Sequence, residues 1–128
     1  MKNKKIINTS KAPKAIGPYS QGVIYEHLIF TSGQIPINIK TNDIISDDFN
    51  EQARQVLKNL KGLIESQGSS INKILKLTVY LTDLSSFDSL NNIFINFFKG
   101  YELPARSVVE VSKLPKNSKI EIEAICHI

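Results

Sequence analysis

The sequence predicts an α+β fold in which two helices pack on one face of a single mixed β-sheet. Two segments carry apolar residues at steps of three and four, as amphipathic helices do, and the other apolar segments alternate with period two, as strands do. Elements that are apolar on one side bury each other best as two layers. The 128 residues contain no repeat, linker or low-complexity tract, so we expect one domain over 1–128.

The predicted elements follow the order β-β-α-β-α-β-β. They are a hairpin of Val23–Tyr25 with Leu28–Ser32 after a Gly/Pro-rich loop at 16–22, a helix from about 47, a strand near 73–81, a helix from about 84, and strands in "RSVVEV" and "KIEIEAICH". Ser46 or Asp47 is the expected cap of the first helix, and Gly68 its end. Asp83 and Gly100 have the same roles for the second helix.

The apolar positions of each element define the expected core. In the helices they are Phe49, Ala53, Val56, Leu60 and Leu63 or Ile64, then Phe87, Leu90, Phe94 and Phe97. In the strands the apolar face is expected to hold Leu75, Leu77, Val79 and Leu81, then Ser107, Val109 and Val111, then Ile120, Ile122, Ala124 and Cys126.

The opposite sheet face mixes charged, polar and apolar residues. It is expected to display Arg106, Glu110, Glu121, Glu123, Lys76 and Tyr80, with Val108 and Ile125 among them. Such a surface is too polar for a core and too apolar for open water. We therefore infer that a second subunit covers it, with a polar cavity at the junction.

Composition excludes several classes of protein. The net charge is +4, but five lysines lie in the first fourteen residues, which we expect to be a solvated end, and no aromatic residues interleave with a basic stripe. We therefore expect no dedicated nucleic-acid partner. No segment approaches the ~20 apolar residues of a membrane span, and the charged N-terminal stretch, which lacks a long apolar segment, is not expected to be a secretory signal. The one cysteine favours a reducing, cytoplasmic location.

Residues for metal or nucleophilic chemistry are not suitably spaced. His27 and His127 do not have the spacing of metal ligands, so we expect no metal site. Cys126 and His127 are neighbours on a strand and point to opposite faces, which indicates that Cys126 is a small core residue. Ser32 does not lie in a nucleophile elbow.

Arginine is scarce among the sixteen basic residues, since only Arg54 and Arg106 are not lysine. Arginine binds a carboxylate or phosphate through two parallel hydrogen bonds, which lysine cannot do. Arg54 falls on a predicted helix surface, where a structural role is expected. For Arg106 the pattern leaves two interpretations open: an internal Arg–Glu bridge, or an anion site in which Arg106 binds a ligand carboxylate and Glu121 transfers protons.

Several motifs resemble the Rid (RidA/YjgF) family of reactive-intermediate deaminases, through nearly the whole chain and in the same order. They are "IGPYSQG", "FTSGQIP", "NEQARQVLKNLKGLIESQG", "LPARSVVEV" and "KIEIEAI". The resemblance implies a chorismate-mutase-like fold and a homotrimer with active sites in clefts between subunits. It also implies hydrolysis of 2-imino acids, such as 2-iminopropanoate (from 2-aminoacrylate) and 2-iminobutanoate, to 2-keto acids and ammonia, without metal or organic cofactor.

The resemblance also implies roles for particular residues. The carboxylate-binding arginine of the family falls on Arg106, and its proton-handling glutamate falls on Glu121. The remaining pocket residues fall on Tyr19, Ser32, Gly33 and Asn91, with Asn92 beside the last. Many members carry a cysteine two residues after the arginine, where this chain has Val108, so only the backbone of Val108 is expected to serve the pocket.

One further feature separates this chain from typical members of the family, and two alternative functions stay open. The loop "KGYELPARS" is shorter than in typical members, which we expect to reshape the mouth of the pocket and with it the substrate range. An RNA-cleaving or translation-inhibiting protein is one alternative, and its binding would weaken steeply with salt. A non-catalytic small-acid-binding or chaperone-like trimer is the other.

Overall fold

A six-stranded sheet carries both helices in the computed structural model, which describes residues 3–128. The elements are β1 (Lys5–Ile7), β2 (Gly22–Tyr25), β3 (Leu28–Thr31), α1 (Phe49–Glu65), β4 (Ile74–Leu81), α2 (Phe87–Phe97), β5 (Ala105–Glu110) and β6 (Ile120–His127), with short 3-10 turns at Ile71–Lys73, Leu84–Ser86 and Pro115–Asn117. The strand order is β1-β2-β3-β6-β4-β5. Only β4 and β5 pair in parallel, so the predicted mixed sheet is confirmed.

The two helices share a core with one face of the sheet. This follows from the connections, because the crossover from β4 through α2 to β5 must pass over a face to make the strands parallel. The core combines residues of α1, α2 and the sheet: Ala53, Val56, Leu57, Leu60, Leu63, Ile64, Leu90, Phe94 and Phe98 with Ile29, Ile74, Leu77, Val79, Leu81, Ile120, Ile122, Ala124 and Cys126. The predicted α+β layers are therefore present. No helix within residues 3–128 is long and apolar enough to cross a membrane.

The N-terminal segment contains a strand that the sequence did not predict. Ile6 pairs with Val23 of β2, and Ile7 is only 2% exposed. Lys4, Lys5, Lys11 and Lys14 are exposed, as expected for a solvated end, although Lys5–Ile7 form a strand and Ile7 is buried; Lys2 lies outside the described residues. A segment of three residues is too short to show the alternation with period two that identifies a strand. The prediction for this segment therefore depended on its lysine content alone.

The helix ends differ from the predicted ones by a few residues. Asp48, rather than Ser46 or Asp47, caps α1, and its carboxylate accepts a 2.9 Å hydrogen bond from the Glu51 N–H. Gly68 follows the end of α1 with φ of +81°, a conformation that favours glycine.

The second helix begins later than predicted. Asp83 caps the 3-10 turn of Leu84–Ser86, so α2 itself starts at Phe87. Phe87 is 37% exposed, contrary to its expected core position, whereas the unpredicted Phe98 is 2% exposed.

The strand alternation is confirmed for β6 and corrected for β4. Ile120, Ile122, Ala124 and Cys126 are all buried against the helices. In β4 a register shift between Ile74 and Lys76 rotates Leu75 off the apolar face, where it is 46% exposed. Such a bulge inserts one residue and reverses the alternation before it, which the sequence does not signal.

The face prediction for β5 is wrong. Arg106 lies beside Leu77, Val108 beside Val79 and Glu110 beside Leu81, so these three side chains share the helix-bearing face. Ser107 and Val109 lie on the other face, which we call the open face, together with Lys76, Tyr80, Glu121, Glu123 and Ile125. Because β5 is an edge strand, the contrast between its two faces is weak, and sequence alternation alone could not orient it.

Candidate active site

Glu121 lies on β6 directly over Gly33. Backbone hydrogen bonds in both directions between Gln34 and Ile122, of 2.8 and 3.1 Å, hold residue 33 beside the strand. A Cβ atom on Gly33 would lie 2.7 Å from Cδ and 2.9 Å from Cγ of Glu121, and it would also contact Oε2. Such distances are far inside van der Waals contact, so the absence of a side chain at residue 33 creates the space for the carboxyl group.

The loop of Tyr19 is tied to the segment of Ser32 and Gly33. The Ser32 N–H donates to the Gln21 carbonyl at 2.9 Å, and the Ser32 hydroxyl donates to the Ser20 carbonyl at 2.5 Å. The Tyr19 hydroxyl accepts a 3.2 Å bond from the Ile16 N–H, which fixes the ring within its own loop. We call Tyr19, Ser32, Gly33 and Glu121 the acidic half-site.

Gln21 supports this half-site in a way that the sequence analysis missed. Its side chain is buried and accepts from the Thr9 N–H at 2.8 Å, while its amide donates to the carbonyls of Thr9 and Pro13 at 3.0 and 2.9 Å. It thereby joins the N-terminal segment to the loop on which Ser32 depends. The sequence signal for this role was the position of Gln21 inside the motif "GPYSQG", which also contains Tyr19. A buried amide group needs several hydrogen-bond partners, so a glutamine buried there must bond to other segments.

The surroundings of Glu121 favour its protonated form. Burial and the nearby negative charge of Glu123 raise its pKa above the usual glutamate range. The Tyr80 hydroxyl donates a 2.6 Å hydrogen bond to Oε1 of Glu123, so Glu123 is engaged and Glu121 is not. A raised pKa brings a carboxyl group closer to the pH at which it can both accept and return a proton.

Arg106 lines a cavity on the opposite side of the sheet. Its Cζ atom lies 5.1 Å from the ring centroid of Phe94 and 5.4 Å from that of Phe87, both on α2. The cavity has a volume of about 450 Å³ and is lined by Asn91, Phe94, Ile95, Leu103, Pro104 and Arg106. Stacking on rings fixes the plane of the guanidinium and leaves its N–H edge available. We call Asn91 and Arg106 the cationic half-site.

The predicted alternative of an internal Arg–Glu bridge is not formed. Across residues 3–128, the Arg106 guanidinium makes no ion pair or hydrogen bond, and its recorded contacts are the two rings. Glu110, the acidic residue of the same strand and face, accepts from the Leu84 N–H at 2.9 Å. Arg106 is therefore available for an anionic ligand.

One chain does not bring Arg106 and Glu121 together. Arg106 is in register with Leu77 on the helix-bearing face, whereas Glu121 is in register with Tyr80 on the open face. The prediction that both share a face is wrong, and its cause is the orientation of β5. A site that uses both groups must take them from two copies of the chain.

Comparison with known proteins gives the family. The model described as Endoribonuclease L-PSP matches residues 9–128. The 2-iminobutanoate/2-iminopropanoate deaminase of Escherichia coli K12 is 49% identical over 123 residues, covering 94% of this chain and 95% of that protein. A solved structure of a Rid-family protein from Yersinia pestis superposes with a TM-score of 0.96 at 44% identity, covering 98% and 100% of the two chains. The chain belongs to the Rid family.

A further solved structure is E. coli TdcF with bound serine, with a TM-score of 0.93, 45% identity and coverage of 97% and 98%. These matches confirm the resemblance on which the sequence analysis relied.

The other side chains of this Rid-family chain that were considered for chemistry lie outside the two half-sites. Burial raises the pKa of the Cys126 thiol to about 12, as expected for a core residue. Within residues 3–128 no three His, Cys, Asp or Glu side chains are grouped as a metal site would need. Arg54 lies on α1 in a groove with Lys58 and Lys61, away from Arg106.

Val108 marks the position of the family cysteine. It faces the same side as Arg106, lies beside Val79 and packs against the core while staying partly exposed. Its side chain offers no proton donor or nucleophile, so any chemistry at this site uses other groups.

Proposed function

We propose that this Rid-family chain, as one domain over residues 1–128, hydrolyses reactive 2-imino acids to 2-keto acids and ammonia. The observation that carries the proposal is the Arg106 guanidinium, which faces a cavity without an acidic partner in the described residues. The name of the E. coli relative, 2-iminobutanoate/2-iminopropanoate deaminase, supports the same reaction. A 2-imino acid is small and carries a carboxylate beside a polarised C=N bond, which suits a cavity with one bidentate cation.

The proposed reaction begins with binding of the substrate carboxylate. Arg106 donates two parallel hydrogen bonds to it, which fixes the position of the imine carbon. Asn91 lines the same cavity and is proposed to orient the substrate, and Val108, on the same sheet face as Arg106, is proposed to contribute only its backbone. The serine bound to TdcF, a small molecule with the same carboxylate, supports this size of ligand.

Glu121 is proposed to transfer the protons. Glu121 first gives its proton to the imine nitrogen, and water then adds to the imine carbon and gives a proton back to Glu121, so a C–O bond forms and the C=N bond becomes single. Glu121 next gives this proton to the amine nitrogen, the C–N bond breaks and ammonia leaves. The proton of the new hydroxyl group returns to Glu121 as the keto C=O bond forms. A positioned acid–base group typically contributes about 10²–10⁴-fold. Water is the only co-reactant, so the proposed reaction needs no metal or organic cofactor.

The proposed assembly is a homotrimer with its sites between subunits. In each cleft the cationic half-site of one subunit meets the acidic half-site of the next, with Tyr19 and Ser32 lining the acidic side. The open face supports burial against another copy, since Tyr25, Phe30 and Val109 are 44%, 42% and 43% exposed there. We place the reaction in the cytoplasm, in keeping with one buried, unpaired cysteine.

The test is a coupled assay in which a dehydratase generates 2-aminoacrylate from serine and pyruvate release is followed with and without this protein. Arg106→Lys keeps the positive charge but loses the two parallel N–H donors of the guanidinium, so the acceleration of pyruvate release should fall by about 10²-fold or more. Arg54→Lys is the matched control and should retain full acceleration. An unchanged rate for a folded Arg106→Lys protein contradicts the assigned role, and no acceleration by the unmodified protein favours a non-catalytic small-acid binder.

Mixing two inactive variants tests the shared site. Arg106→Lys disables the cationic half-site, and Glu121→Gln disables the acidic half-site. In a mixed trimer, a cleft is intact when it takes Arg106 from a Glu121→Gln subunit and Glu121 from an Arg106→Lys subunit. Co-refolding the variants in equal amounts should restore activity to about a quarter of the clefts by random assortment. If the mixture stays as inactive as its parents, the two residues do not act across subunits.

A second candidate follows from the printed description of the family model, which names an endoribonuclease. Incubation of this protein with a single-stranded RNA at low and high salt would test it. Cleavage that disappears in Arg106→Lys would place RNA chemistry at the same cleft.

A further inference from the structure

A second glutamate lies next to the proposed acid–base residue. Glu123 is two positions from Glu121 on β6, so both carboxyl groups point to the open face. Tyr80 of β4 is in register with Glu121, yet its hydroxyl donates to Oε1 of Glu123 at 2.6 Å. One of two neighbouring carboxyl groups therefore has a dedicated donor, and the other has none among residues 3–128.

We propose that Tyr80 is a positioning residue that holds Glu123 as the charged neighbour of Glu121, so that a proton is retained by Glu121 rather than by Glu123. The proposal rests on the proposed function, because it explains how Glu121 comes to hold a transferable proton. It assigns a role to a tyrosine that does not contact the substrate.

The physical basis is the competition between like charges. Two nearby carboxylates resist being ionised together, so a proton is retained by the one whose charged form is less well stabilised. The phenol stabilises the charged form of Glu123 by donating to it. Burial and the charge of Glu123 raise the pKa of Glu121, and the hydrogen bond to Glu123 is the main cause of the raised pKa of Tyr80, which therefore stays a donor.

Other titratable groups on the open face lie further along the strand. Lys76 of β4 is beside Ile125, and His127 is beside Leu28. On the other side of β6, residues 31–34 carry no titratable side chain. Tyr80 and Glu123 are thus the titratable groups of the same chain that adjoin Glu121 among residues 3–128, and in the proposed trimer the Arg106 guanidinium of the next subunit faces it as well.

The test is a ¹³C NMR titration of the glutamate carboxyl groups in the whole protein. Glu123→Gln removes the neighbouring charge, so the Glu121 midpoint should move to lower pH by about half a unit or more, as expected for two charges roughly 7 Å apart. Tyr80→Phe should move the Glu121 midpoint in the same direction by a smaller amount and broaden its transition. The reason is that the two carboxyl groups then compete more equally for the proton. Tyr25→Phe, another open-face tyrosine, should change neither.

Two outcomes overturn the proposal. One is a Glu121 midpoint that stays unchanged in Glu123→Gln, and the other is a Tyr80→Phe titration identical to that of the unmodified protein. The titration does not depend on catalysis, so it stands even where the protein fails to accelerate imine hydrolysis. In an active enzyme, the acidic limb of the pH–rate profile should move with the titration, and kcat should change more than KM.

Discussion

Replacing Gly33 by alanine tests the position of Glu121 with a single methyl group. The added Cβ would lie 2.7 Å from Cδ of Glu121, about 1 Å inside normal contact. The glutamate side chain is flexible and can rotate away, so the backbone need not move. The carboxyl group would then be displaced by roughly 1 Å or more, and a displacement of that size costs about 10²-fold in rate.

The expected result is a loss of kcat without a loss of folding stability. The free energy of unfolding should change by less than about 1 kcal/mol, because alanine also restricts the unfolded chain. The coupled dehydratase assay measures the rate, and urea unfolding followed by circular dichroism measures stability. A Gly33→Ala protein with the original kcat, or one that is as strongly destabilised as a core variant, would refute this account of the site.

Gly62→Ala is the matched control because the same methyl group meets backbone there. Gly62 lies within α1, and its added Cβ would contact the carbonyl oxygen of Lys11 and lie 3.2 Å from the carbonyl carbon. A backbone carbonyl cannot rotate aside, so the N-terminal segment must shift. We expect a loss of about 1–3 kcal/mol in the free energy of unfolding, partly offset by the better helix propensity of alanine, whereas Gly33→Ala should show no such loss.

Three further predictions concern stability and reactivity. Asp48→Ala should lower the free energy of unfolding by about 1 kcal/mol in urea titrations, because it removes the cap of α1. Cys126 should resist iodoacetamide in the native protein at pH 8 and react after unfolding, since burial raises its pKa to about 12. Glu121→Gln should raise stability at neutral pH, because a carboxyl pKa that is raised in the folded state makes the ionised form unfavourable there. That gain should shrink as the pH falls and Glu121 becomes protonated.

The layered fold was predictable because its strongest signals are local. Apolar residues repeat with a period of 3.6 in both helices and with a period of 2 in the strands β2 to β6, which identified these elements. The apolar sides of the helices were then expected to cover the apolar face of the sheet. The strand Lys5–Ile7 was missed because pairing with β2, rather than its own composition, makes it a strand. The exposure of Leu75 was missed because a bulge is a property of the pairing between β4 and β6.

The candidate residues were predictable, but their arrangement was not. Family motifs identified Arg106 and Glu121 by position in the sequence, which carries no information on the face of an edge strand. The orientation of β5 is set by its parallel register with β4, in which Val108 meets Val79. That register depends on how the crossover through α2 returns to the sheet, so no count of alternating residues could supply it.

The arrangement explains why the basic and acidic groups of one chain do not neutralise each other. Glu110 bonds the backbone of Leu84, Glu123 bonds Tyr80, and Glu121 lies over Gly33 on the face away from Arg106. Glu110, Glu121 and Glu123 are thus engaged or turned away, and within residues 3–128 the guanidinium of Arg106 makes no ion pair, so its N–H donors stay available for a ligand. In the proposed mechanism one chain contributes the carboxylate-binding group to a cleft and another contributes the proton-transferring group, so the proposed chemistry requires assembly. Hydrolysis should therefore depend on subunit contact even when carboxylate binding does not.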